Sequence, residues 1–84
     1  MKNLIYVQAV GSIMVSLTEI VSGGFTTENT HNSFIINFNH NHNDYSVEVV
    51  NYKHDNMYIY LNNDEIGSCL EIEKVLNKLN NLIK

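Results

Sequence analysis

Arginine, proline and tryptophan are absent from this 84-residue chain, and cysteine occurs once. The missing arginine excludes most. Five lysines (Lys2, Lys53, Lys74, Lys78 and Lys84) stand against nine carboxylates, for a formal charge of -4. Nucleic-acid binding draws on clustered cations to neutralise phosphates and on arginine forks to read guanine edges, so no direct nucleic-acid binding is expected. An acidic chain of this kind prefers a basic partner. The lone Cys69 cannot close an internal disulfide, whereas small secreted domains commonly carry several, so a reducing cytoplasm is the expected location. The G-x-S-x-G nucleophile elbow, the Walker loop and C-x-x-C pairs are also missing, and the pair Gly23-Gly24 lacks the Lys-Ser/Thr and helix of a phosphate loop. With no acid-base or nucleophile constellation to defend, a non-enzyme without a cofactor is expected.

Long hydrophobic runs are scarce as well. Leu4 to Val21 is the one stretch to test as a signal peptide or span, and Gln8, Ser12, Ser16 and Thr18 interrupt it. It lacks a leucine-rich centre and ends without an A-x-A site, so no membrane partner is expected.

What is present is a hydrophobic content of 44% with only 17% charged residues, enough apolar surface to offset the entropy of ordering a backbone. A chain this short hides only about 60% of its unfolded surface, which fits one domain over residues 1–84 and leaves little volume for a deep cleft.

Three runs alternate with the period of a strand that has one face buried. Phe34, Ile36 and Phe38 alternate with Ile35, Asn37 and Asn39, then Tyr45, Val47 and Val49 with Ser46, Glu48, Val50 and Tyr52, then Met57, Ile59 and Leu61 with Tyr58, Tyr60 and Asn62. Turns at Asn41 to Asp44 and Lys53 to Asn56 join them into an antiparallel meander over 33–62. A C-terminal helix follows the capping sequence Ser68-Cys69-Leu70-Glu71, with Asp64 and Glu65 upstream at the positive end of its dipole. Its stripe is Ile72, Val75, Leu76, Leu79 and Ile83, with Leu82 at the edge.

The N-terminus reads two ways. Ile5, Val7, Ala9, Ile13, Val15 and Leu17 alternate at period two, while Leu4, Val7, Met14, Leu17 and Val21 also fit a helical stripe. The β-branched residues tip Asn3 to Ile20 toward one or two strands, with Gly11 and Ser12 at a bulge or turn. Thr26 to Asn32 reads as the longest loop. The expected fold is therefore α+β, an antiparallel sheet with one helix packed on one face.

A single helix covers one side of a sheet, so the other side, with Ile35, Glu48, Val50, Tyr52, Tyr58 and Tyr60, is the leading functional surface. Its composition is that of an interface centre. The plainer alternatives are that the N-terminal strands fold over it, or that tyrosine merely suits exposed strand positions. Asp44, Glu48, Asp55, Asp64 and Glu65 gather in the turns and strand ends, as carboxylates that either meet a basic partner or simply keep the turns wet. His40 and His42 would project to one side of an extended chain, but two histidines make no metal site without further ligands, so no metal is expected. Cys69, at the start of the helix, reads as a buried structural thiol rather than a nucleophile.

Fourteen asparagines and the wholesale use of lysine for arginine fit an AT-rich genome. In size, acidity, asparagine content and element order, the segment from Asn32 to Leu82 resembles the small phage inhibitors of host defence that include the anti-CRISPR proteins. It departs from their DNA-mimicking members in having too few carboxylates. The resemblance implies a cytoplasmic module that blocks a functional surface of a host protein, such as a basic nucleic-acid-binding effector. Its contact residues would be Tyr52, Tyr58, Tyr60, Glu48, Asp44, Asp55, Asp64 and Glu65. The alternative is a self-assembling homodimer without catalytic activity.

Overall fold

The computed structural model describes residues 4–21, 23–51 and 57–83. In chain order these form helix α1 (Leu4–Ile20), strands β1 (Phe25–Asn29), β2 (Ser33–His40), β3 (Asn43–Asn51), β4 (Met57–Leu61) and β5 (Asp64–Ser68), a 3-10 turn (Cys69–Glu71) and helix α2 (Ile72–Ile83). The strands make one antiparallel sheet in the order β1-β2-β3-β4-β5, each paired with its neighbours in sequence. The class is α+β. The meander lies where the alternation places it, and the C-terminal helix is present with a later start than the capping sequence suggests.

The register follows from which residues must leave water. Phe34 faces Val49, Ile36 faces Val47 and Phe38 faces Tyr45 across β2 and β3, while Val47 and Val49 face Leu61 and Ile59 across β3 and β4. All of these side chains pack in or against one core cluster. A one-residue slip would turn the whole set into solvent, so burial locks the pairing. Phe38 and Tyr45 stack with ring centroids 5.4 Å apart.

Two hairpins close on two-residue turns whose residues all have positive φ: Asn41 (53°) and His42 (67°), then Asn62 (49°) and Asn63 (73°). Left-handed backbone at both central positions matches the twist of the flanking strands, and asparagine tolerates it better than most side chains. Asn62 does more. Its Oδ1 accepts a hydrogen bond from the Ser46 amide, and its own amide donates to the Ser46 carbonyl, both at 2.8 Å.

Three segments differ from the sequence reading. The N-terminal run is not strand: its described part, Leu4–Ile20, is one helix, and Gly11 sits within it rather than at a bulge. Tyr6, Ala9, Ile13 and Leu17 form its buried face, recurring at three- and four-residue intervals. The β-branched residues that argued for strand cost a helix only about 0.7 kcal/mol or less each, well below what burying that face returns. Next, the expected loop contains β1, an edge strand whose Thr26, Thr27, Glu28 and Asn29 are exposed. The sheet thus gains its N-terminal strand from Phe25–Asn29 instead of from the first twenty residues.

Third, Asp64 and Glu65 do not lead into the helix; they open β5, which pairs with β4 through a register shift between Ile59 and Tyr60. Helix α2 accordingly starts later than the capping sequence suggests. Ser68 Oγ accepts from the Leu70 amide at 3.2 Å and caps the 3-10 turn, while Glu71 pairs with Lys74 at 2.9 Å instead of reaching back. Val75, Leu79 and Ile83 are buried, with Ile72 and Leu76 half-buried beside them.

Both helices lie on the same side of the sheet, because the core joins Ile13 and Leu17 of α1 and Val75 and Leu79 of α2 to the inward residues Ile36, Val47, Val49 and Ile59. Ser16 Oγ, 3.5 Å from Asn80 Oδ1, links the two helices. Gly67 lets α2 settle on β5: a Cβ there would lie 2.5 Å from Val75 Cγ2. No helix among the described residues is long and apolar enough to cross a membrane.

Candidate protein-binding face

With two helices on one side, the other side of the sheet carries no secondary-structure layer among the described residues. Cross-strand partners point to the same side of a sheet, so the pairing lists what this face presents. Glu28 pairs with Ile35, Ile35 with Glu48, Glu48 with Tyr60, and Tyr60 with Glu65. The result is one row across all five strands in the order Glu-Ile-Glu-Tyr-Glu.

Strands lie about 4.8 Å apart, which puts successive carboxylates of this row about 10 Å from each other and the outer two about 19 Å apart. At that separation two charges in water repel by only about 0.4 kcal/mol, so the row is tolerated while it stays wet. Displacing that water without supplying positive charge is far less favourable. Ile35, Glu48 and Tyr60 at its centre are half-buried, and Glu28 and Glu65 at its ends are exposed. The lysines of the described segments, Lys74 and Lys78, are on α2, so this face carries no cation among the described residues.

The adjacent row runs Ser33, Val50, Tyr58 and Ser68. Tyr58 is half-buried, but Val50, expected as part of the open surface, is only 3% exposed and lies outside the main core cluster. Ser33, its partner, is also buried and shares a hydroxyl hydrogen bond with Thr30. On the other flank Thr26, Asn37 and Ser46 line a shallow hollow with Asp44 and Asn62. Asp44 accepts a 2.9 Å hydrogen bond from the Asn39 amide group, which fixes the carboxylate on this same face.

The expected contact residues are thus only partly brought together. Glu48, Tyr58, Tyr60 and Glu65 are neighbours, and Asp44 stands four residues from Glu48 along β3, about 13 Å away. Asp64 is separated from them: it pairs with the inward-pointing Leu61 and so belongs to the helix side of the sheet. Tyr52 and Asp55 lie outside the described residues. Glu28 was missed because its segment reads as loop, and only a strand assignment for Phe25–Asn29 would have placed it opposite Ile35.

The other chemical candidates resolve differently. His40 ends β2 half-buried and His42 sits in a left-handed turn, so the extended stretch that would align them is not formed. Among the described residues no three His, Cys, Asp or Glu side chains converge as metal ligands. Cys69 is 3% exposed, and burial pushes its thiol up to about 11, against the smaller lowering effect of a backbone hydrogen bond. Burial also raises the Tyr6 phenol, with the nearby Cys69 adding to the shift. Neither group is poised to react near neutral pH.

Comparison with protein families, curated proteins and solved structures gives no match for this chain, so its surface chemistry stands on its own.

Proposed function

We propose that this chain is a protein-binding module whose uncovered sheet face docks on a basic surface of another protein and blocks it. The observation that carries this is the row Glu28, Ile35, Glu48, Tyr60 and Glu65, which alternates charge with apolar or aromatic area on the side of the sheet away from the helices. Isoleucine and tyrosine supply contact area at small entropic cost, and the flanking carboxylates select cations and accelerate encounter. Three carboxylates at successive spacings of about 10 Å do not form a continuous phosphate-like track, so the fit is to a patch of lysines and arginines around an apolar centre, not to a nucleic-acid groove along its length.

The finer reading is an inhibitor from a phage or mobile element, acting in the host cytoplasm on a basic, nucleic-acid-binding defence protein. It accords with the acidic charge and the small sheet-plus-helix build. Self-association through this same face is disfavoured, because two copies would set one glutamate row against another.

Affinity capture from host lysate with wild-type protein and with the triple variant Glu28→Gln, Glu48→Gln, Glu65→Gln tests the proposal. The expected result is a basic protein retained by the wild type and depleted about tenfold or more on the variant. Equal retention by both would remove the face from consideration.

A further inference from the structure

We infer that the outer stripe of α1 is a self-association surface, on which a second copy of this chain packs antiparallel, two-fold related, with the crossing at Gly11. This surface lies on the side opposite the glutamate row and does not depend on it.

Helix α1 is apolar on more than its buried side. At 100° per residue, Leu4, Gly11 and Val15 fall along one line opposite Ile13, with Val7 on its flank. Leu4 is 69% exposed, Val15 62% and Val7 47%. A solvent-facing apolar stripe of this kind, beside the polar face of Gln8, Ser12, Ser16 and Glu19, marks a contact surface. Beside it a groove between the helices is floored by Ile72 and Leu76 and rimmed by the same four polar residues.

Charge decides the occupant. Helix α1 carries a single charged side chain, Glu19 near its C-terminal end, whereas the chain as a whole carries the acidic excess of -4 that makes two copies repel. The stripe is therefore where a second acidic copy approaches with least electrostatic penalty. A lipid surface fits less well: helices that lie on membranes carry Lys or Arg along their polar face, and α1 has neither.

The spacing is also self-complementary. Gly11 lies near the middle of the 17-residue helix. In a two-fold antiparallel crossing there, Val7 of one copy meets Val15 of the other and Leu4 meets Thr18, each contact made twice. A Cβ added at Gly11 would meet nothing within 4 Å, so the helix presents open space for close approach. A helix about 25 Å long with its adjoining groove offers on the order of 500 Å² per copy, the low end for a specific interface, so the dimer is expected in the micromolar range.

Sedimentation equilibrium on the whole chain tests this with two variants, Val15→Glu and Val7→Lys, whose new charges sit at positions already exposed in the monomer. Wild type should dimerise by about 100 µM, and each variant alone should dimerise about tenfold or more weakly. An equimolar mixture of the two should recover dimer, because Lys at 7 then meets Glu at 15 of the other copy. A wild type that stays monomeric at that concentration, variants that dimerise like wild type, or a mixture that remains monomeric would each overturn the proposal. Wild type that is monomeric in solution but floats with phosphatidylcholine vesicles would assign the stripe to lipid instead.

Discussion

Single side chains settle several of the local choices in this molecule. Asn41, His42, Asn62 and Asn63 hold left-handed backbone that L residues adopt at some cost. Asn63→Gly should therefore stabilise the protein by about 0.5–1 kcal/mol, read as a rise of a few degrees in the thermal midpoint. Asn62 is a poorer choice for the same change, since its side chain holds the Ser46 amide. Cys69 shows the reverse relation between residue and surroundings: burial lifts its thiol from 9.0 to about 11. Because the folded state keeps the proton longer than the unfolded state, the associated stability is fully present below pH 9 and is lost as pH rises toward 11. Thiol labelling at neutral pH should accordingly be slow in the native protein and fast in denaturant. Fast native labelling would contradict the burial of Cys69.

At the level of the elements, the docking of α2 on β5 hinges on the close approach at Gly67. Gly67→Ala should destabilise the fold by about 1–3 kcal/mol, because the added methyl meets the branched Val75 side chain and β5 or α2 must move. Ile13→Ala should cost about 2–5 kcal/mol, since Ile13 is fully buried between α1 and the sheet, and chemical denaturation measures both changes. A negligible effect of Ile13→Ala would argue against α1 as a core element. The elements that were legible in the sequence are those whose pattern has a single solution. Phe34, Ile36 and Phe38, with their counterparts in β3 and β4, fit only period two, and Ile72 to Ile83 fits only a helix. Helix α1 was ambiguous because it is apolar on both its buried and its outward side, so alternation and helical stripe coexist in the same residues. Strand β1 was hidden by its position at an exposed edge, where Thr26, Thr27, Glu28 and Asn29 need no apolar alternation. In β5, Asp64 and Glu65 carried a plausible helix-start signal that cross-strand pairing overrode. For the candidate face, Glu48, Tyr58 and Tyr60 could be read from the sequence, while the place of Glu65 on it required β5 and that of Glu28 the edge strand.

The molecule as a whole divides its surface chemistry between two sides. One side of the sheet holds both helices and presents an uncharged apolar stripe; the other presents glutamates interleaved with isoleucine and tyrosine. On the proposal above, one side meets basic partners, and the other offers a second acidic copy its least repulsive approach. Because the row is only half-desolvated in the free protein, its attraction to a basic surface should weaken as salt shortens the screening length. Calorimetric titration of the captured partner at about 50 mM and about 300 mM salt, with wild type and with the Glu28, Glu48 and Glu65 glutamine variant, measures this directly. Wild-type affinity should fall about tenfold or more across that range, and the variant should bind weakly at both. Affinity that is independent of salt and unchanged in the variant would contradict the assignment of this face as the binding surface.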